Sequence, residues 1–324
     1  MALSNTVSLY YHLYISVNTM DPNLIGETAA IVTAFLWTIN SILFASAGKK
    51  IGSLSVNAYR ILMAVGFLGV THIIFLGSLL PTASSEQWFW IGLSGIVGLG
   101  IGDFGLFAAF VIIGPRRSVL IMSLSPIFAA LGAYLMLGEI LSPLIIIGIA
   151  VTLIGVIVVI LEKEENSDEK PISKKLKTWG VFLAFIGAIG QGIGLVLAKK
   201  GMWLDPSIMM NPLSVTFVRM IMGALFIWTC VVVMRRLPEV RKALKSKKGM
   251  GQTAAGAFIG PFIGVTLSMV AVAYTQAGIA QTLMSLMPVF IIPAIWVLYK
   301  QKTSWRGVLG AIVAVIGVAI LLLV

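Results

Sequence analysis

Three charged residues stand where a lipid-embedded chain can least accommodate them. Arg60 and Arg219 each lie about seven residues into a long apolar run, and Asp103 lies near the middle of another. An Arg or Asp at the centre of a bilayer costs roughly 2.5–3.5 kcal/mol on insertion scales, so each needs a partner or a water-filled cavity. Arg60-Ile61-Leu62-Met63 aligns with Arg219-Met220-Ile221-Met222, which gives the two arginines matching places. Such a pair can frame a central cavity and hold an anionic group. The alternatives are snorkelling to an interface or a structural bond to the carbonyls of a broken helix. Asp103 reads as a proton-titrating or cation-contacting carboxylate, or as the ion-pair partner of Arg60 or Arg219.

Uncharged candidates for a cavity wall are Trp37, Asn40 and Ser41 in the first apolar run and Gln191 in the sixth. An amide inside a helix bundle costs far less than a charge and often only bonds a neighbouring helix. His72, near the end of the second run, reads as interfacial, with a proton relay as the alternative. Glu139, at an outer helix end, reads as structural. Trp88, Trp90, Trp179, Trp203 and Trp305 flank the runs as belt residues would.

Other chemistries fall away. Gly100-Ile101-Gly102-Asp103-Phe104-Gly105 matches G-x-G-x-x-G, but a dinucleotide site needs a preceding strand inside a βαβ unit. Gly98/Gly102, Gly190/Gly194 and Gly256/Gly260/Gly264 read instead as small-xxx-small pairs for close helix approach. The sequence holds no phosphate-binding loop, no H-E-x-x-H and no G-x-S-x-G. Two histidines and the single Cys230 leave no metal site, no disulfide framework and no case for an enzyme. No cofactor is expected.

The elements that must position these residues follow from composition. Of 324 residues, 59% are hydrophobic and 11% charged, and the mean hydropathy is +1.02. A soluble domain carries roughly 25% charged residues, so the chain is expected to be an integral membrane protein. The apolar runs are continuous rather than alternating, which selects helices over a β-barrel. They fall at 25–47, 54–79, 88–112, 118–138 and 141–161, then at 178–198, 212–234, 252–274, 279–299 and 305–324. Pro81, Pro115, Pro143, Pro206 and Pro212 lie at or near run ends. Pro126 and Pro288 are expected mid-helix as paired hinges, with further bends at Pro261 and Pro293. Residues 1–24 form an N-terminal tail, in which Met20-Asp21-Pro22 offers a second start, and 162–177 form a charged connector.

The halves repeat. At a spacing of 162, residues 102–161 match 264–323 at 14 of 60 positions, with Met122-Ser123-Leu124-Ser125-Pro126-Ile127-Phe128 on Met284-Ser285-Leu286-Met287-Pro288-Val289-Phe290. Five runs per copy is odd, so equivalent helices must cross in opposite directions, the inverted repeat of secondary transporters. Alternate connectors hold 19 of the 23 Lys and Arg. The positive-inside rule puts those connectors in the cytoplasm and both termini outside. The +11 net charge thus reads as orientation rather than nucleic-acid binding.

The run Gly114-Pro115-Arg116-Arg117-Ser118, then Ser125-Pro126, then Leu137-Gly138-Glu139 resembles an EamA repeat, of the drug/metabolite transporter superfamily. The resemblance covers 25–161 and 178–324 as tandem copies. The second copy has Lys300-Gln301-Lys302 where the first has Gly138-Glu139-Ile140. It implies a ten-helix carrier for small metabolites or amphipathic compounds, often outward.

The expectation is an all-α integral membrane protein of the plasma membrane, with ten transmembrane helices as two inverted five-helix repeats. It moves a small-molecule substrate by alternating access, with Arg60, Asp103, Arg219, Trp37, Asn40 and Gln191 as the binding set. Its partners are that solute, the lipid bilayer, protons as a coupling ion and a second copy as a homodimer. A polar-solute channel is the other reading, then a membrane enzyme or scaffold.

Overall fold

A computed structural model describes residues 21–161, 173–205, 208–290 and 305–323. The second start at Met20, most of the charged connector, Pro206, Pro293 and the Lys300-Gln301-Lys302 cluster lie outside the described residues. Helix α1 spans Pro22–Ile51; the Asp21 carboxylate accepts from Asn23 N at 2.9 Å, and Pro22 supplies the preset first turn. Gly52, at φ 80°, turns the chain into α2, Ser53–Leu76. A reciprocal capping box between Ser84 and Gln87 starts α3, Ser85–Ser94. A π segment, Gly95–Gly102, leads on into α4, Asp103–Met122, and then come α5, Ser125–Leu137, and α6, Pro143–Leu161.

The second half holds α7, Lys174–Met202, and α8, Pro212–Val233, then the short basic α9, Leu237–Ala243, and α10, Lys247–Ala257. A second π segment, Phe258–Gly264, precedes α11, Val265–Tyr274, and α12, Ala277–Met284; α13 is Trp305–Leu322. Among the described residues no strand occurs, only an isolated bridge between Asp205 and Ile208. Among the described residues, seven helices are long and apolar enough to cross a bilayer, and Ser125–Leu137, Pro143–Val159 and Ala277–Phe290 are shorter apolar helices. Ile74, Phe75, Leu135 and Leu323 are among many large apolar side chains turned outward, as a lipid-facing surface requires. The chain is an all-helical, multi-pass membrane protein.

The duplication seen in residue types extends to the elements. The spacing of 162 carries Asp103, the start of α4, onto Val265, the start of α11. Both π segments end on equivalent glycines, Gly102 and Gly264.

Two expectations need correction. Pro126 and Pro288 are not mid-helix: each is the second residue of a helical stretch that follows a break, at Ser123-Leu124 and at Ser285-Leu286. A proline there loses no hydrogen bond, and the bend precedes it. Pro115 is not at a helix end but inside α4. The chain nevertheless doubles back within α4. A Cβ on Gly180 would meet Ile113 and Ile112, whereas Met122 Sδ has returned to 3.2 Å from the Cβ position of Gly187, beside Leu106. The expected boundary between runs at 112 and 118 thus falls inside one helical stretch that changes direction.

The connectors gather at two ends. At one end Lys50 Nζ donates to Gln252 Oε1 at 2.8 Å, and Ile51 packs with Val240 and Ala243. At the other, Glu139, Lys199 and the break at Thr275-Gln276 meet.

Equivalent helices pack on each other antiparallel, and their contacts exchange under the repeat spacing. In α6 and α13, Gly155 lies against Ala314 and Gly317 against Thr152, while Gly148 meets Leu321 at 2.8 Å and Gly310 meets Val159 N at 2.9 Å from their Cβ positions. In α2 and α8, at spacing 159, the Cβ position of Gly69 lies 3.4 Å from the Phe217 ring and the Trp228 indole donates to Ala58 O at 3.2 Å. A Cβ at Gly155 would also fall 2.6 Å from Gly310 O, whereas one at Gly66 meets nothing within 4 Å. Gly155→Ala is therefore expected to lower the unfolding temperature in detergent. Gly66→Ala is expected to leave it unchanged or raise it by the helix-propensity gain of up to about 1 kcal/mol; equal responses would contradict this packing.

Candidate functional site

Arg60 is the eighth residue of α2 and Arg219 the eighth of α8. Because these helices run antiparallel, the arginines enter the core from opposite ends, separated in depth by about 10 Å at 1.5 Å per residue. Both are buried, Arg60 at 6% exposure and Arg219 at 3%, as is Asp103 at 6%.

Their surroundings differ. The Arg60 guanidinium forms an ion pair with Asp103 Oδ2, and its Nε donates to Asn57 Oδ1 at 2.9 Å. Its plane lies 5.2 Å from the Phe107 centroid and 5.9 Å from that of Phe44, within cation–π range. The second Asp103 oxygen accepts from Gln191 Nε2 at 2.7 Å. Asn57, Arg60, Asp103 and Gln191 thus form one continuous network joining α2, α4 and α7, and a fully bonded network is the condition under which buried charges are tolerated.

Arg219 has no such partner among the described residues. Its NH1 lies 3.0 Å from Met269 Sδ, and its buried Nε bonds nothing. Met269 occupies the position that Phe107 holds beside Arg60, and Val265 the position of Asp103. The carboxylate that neutralises the first arginine is therefore missing from the second half.

Glycine brings these groups together. The backbone of Arg219 lies directly over Gly95, and its NH2 is 3.3 Å from the Cβ position of Gly98. On its other side the first π segment presses Gly98 and Gly102 against Gly194 and Gly190 of α7, at 3.6 and 3.3 Å from the Cβ positions. The second π segment is covered by α1 instead: Asn40 sits over Gly260, Trp37 Nε1 is 2.9 Å from the Cβ position of Gly264, and Thr33 donates to Gly264 O at 3.3 Å. Each half's π segment is thus packed by the first helix of the other half.

Of the six residues expected in the site, Arg60, Asp103 and Gln191 share one network. Arg219 lies across the first π segment from it, and Trp37 and Asn40 stand on the second. The expected set omits Asn57, whose three-residue spacing from Arg60 on a helix was the available signal. Phe107 and Met269 were also missed, although the 162-residue spacing of the copies pairs them. His72 is buried at 1% exposure, with Nδ1 2.6 Å from Ser78 O and Nε2 3.0 Å from Ser214 Oγ, so it staples α2 to α8. Glu139 joins the halves at one end. It pairs with Lys199 at 2.6 Å and accepts from Ala277 N at 2.9 Å, while Lys199 donates to Thr275 O at 2.7 Å. Among the described residues no group of three His, Cys, Asp or Glu could hold a metal ion.

The model of the EamA-like transporter family matches residues 24–161 and again 178–323. The chain belongs to that family. No curated protein matches the sequence. A solved structure described only as "Crystal structure of protein" is similar over 93% of this chain and 96% of its own, at 18% identity and a TM-score of 0.71, a likeness of fold alone. In this EamA-family chain the polar network is a built feature of a transporter fold.

Arg60→Gln and Asp103→Asn each strand a buried charge, so each is expected to cost about 3–5 kcal/mol of stability. The double variant should recover much of that loss in a double-mutant cycle of unfolding in detergent. Additive losses would mean that the pair is not coupled.

Proposed function

We propose that the protein is a secondary carrier of the plasma membrane. Ten helices cross the bilayer as two inverted five-helix halves, and one small solute moves per cycle, outward, by alternating access. The observation that carries this reading is the exchange of contacts between α6 and α13 and between α2 and α8. Two copies that pack on each other by the same residues in reverse order can rock about a shared axis, as inverted-repeat carriers do. The breaks before Pro126 and Pro288, at equivalent places, supply the hinges. The solute binds between the Arg60–Asp103–Gln191 network and Arg219, with Trp37 and Asn40 on the opposite wall. The Glu139–Lys199 pair closes the outer end in this conformation, and protons that compete for carboxylates supply the coupling.

Orientation follows from the two gathered ends. Lys50 and the basic α9–α10 region share one end, which the positive-inside rule places in the cytoplasm; Lys199 and Glu139 share the other. In a Cys230→Ala background, single cysteines at Lys174 and Arg241 should react with an impermeant thiol reagent only from the cytoplasmic side. A cysteine at Ile208, 67% exposed, should react only from outside. Labelling of Lys174 and Arg241 positions from opposite sides would end the inverted-repeat reading. In proteoliposomes, solutes that raise the unfolding temperature should show counterflow; uptake without counterflow would indicate a pore.

A further inference from the structure

Resting on that carrier reading, we infer that Arg219 is where the solute's charged group docks, and that the solute is an organic monoanion of the carboxylate class. The inference comes from the charge balance. Around the first π segment three ionised side chains are more than nine-tenths buried: Arg60, Asp103 and Arg219. Arg60 and Asp103 cancel, and each is bonded further, Arg60 to Asn57 and Asp103 to Gln191. Arg219 is left over. Among the described residues, the one hydrogen-bonding contact of its guanidinium is to the Met269 sulfur, a weak acceptor. Its Nε is buried and bonds nothing. Arginine does not escape by losing its proton, and an uncompensated buried ion costs several kcal/mol. The protein therefore carries one positive charge at its centre for which the described residues supply no counter-charge.

The surroundings narrow what completes it. A guanidinium with a bare Nε and an adjacent NH2 presents the planar fork that carboxylates engage by two parallel bonds. Gly95 and Gly98 put no side chain beside that fork. A monoanion brings the cluster to neutrality, whereas a dianion such as hydrogen phosphate leaves it one charge negative and is repelled by Asp103. Met269, the residue against the guanidinium, is apolar apart from its sulfur and offers no further donor, which favours an organic body over a bare inorganic ion. Arg60, already tied to Asp103, is a positioning residue that keeps the Asp103 carboxylate from closing onto Arg219.

The test is thermal unfolding of the purified full-length protein in detergent with two matched series: benzoate, benzamide and benzylammonium, then hexanoate, hexanamide and hexylammonium. A carboxylate from at least one series should raise the unfolding temperature saturably, and the amide and amine of that series should not. Arg219→Gln should weaken the half-saturating carboxylate concentration by about tenfold or more, the worth of a charged hydrogen bond. Should Arg219→Gln fail to fold, Arg219→Lys, which keeps the charge and loses the fork, should show the same direction of loss. The inference is overturned if neither carboxylate has an effect, if an amine or amide matches it, if the arginine variants respond as the native protein does, or if chloride alone reproduces the full shift. Counterflow of neutral or cationic solutes by a protein indifferent to carboxylates would overturn the charge assignment and leave the carrier standing. Carboxylate binding without counterflow of any solute would do the reverse.

Discussion

An ionised side chain inside a bilayer has to find its counter-charge within the protein, because neither lipid nor neighbouring apolar residues can solvate it. Arg60 finds Asp103 only because α2, α4 and α7 approach closely enough for side chains on three helices to meet, and that approach depends on glycine. At Gly95, Gly98 and Gly102 the first π segment has no Cβ to hold α7 and α8 away, so backbone lies on backbone. Gly190 and Gly194 on α7 complete the contact. The same lack of side chains on the second π segment seats Trp37 and Asn40 of α1. The polar centre and the glycine packing are thus one device: packing supplies the proximity that electrostatics needs, and the bonded network gives close-packed helices one register.

Duplication explains the arrangement and its imbalance. Two tandem copies place the arginines at equal distances from the starts of α2 and α8, and the ends of both π segments and both breaks at one spacing. Where the copies keep the same residue types, they pack by exchange, as Gly155 and Gly317 do across α6 and α13. Where they have diverged, the site becomes one-sided. Asp103 faces Val265 across the repeat and Phe107 faces Met269, so one arginine is neutralised and ringed by aromatics while the other meets a sulfur. A symmetric scaffold and an asymmetric centre are compatible, because packing of the copies requires equivalence of packing surfaces and not of polar side chains.

Backbone hydrogen bonding also shaped what composition could not foresee. Proline interrupts a helix where its missing N–H and its ring collide with the preceding turn, and the sequence alone does not say whether a chain answers by breaking before the proline or by bending through it. At Pro126 and Pro288 the break comes earlier, and the prolines begin the next helical stretch at no cost. At Pro115 helical bonding persists while the chain turns back. His72 shows the same limit from the side-chain end: its place near a helix terminus does not reveal that it is buried between Ser214 and Ser78.

Composition, run length and the 162-residue repeat were enough to establish a helical membrane protein of two tandem copies, because lipid leaves so few ways to satisfy a backbone. They also singled out Arg60, Asp103 and Arg219, since ionised residues in apolar runs are conspicuous by their cost. Sequence could not decide which arginine the aspartate would choose, since Arg60 and Arg219 are equivalent along the chain and separable only by which helix faces lie across the first π segment. It likewise placed Trp37, Asn40 and Gln191 in one wall, whereas packing divides them between the two π segments. Those outcomes rest on distances of a few ångströms between helices far apart in sequence. Close packing fixes such distances, and no local pattern of residue types encodes them.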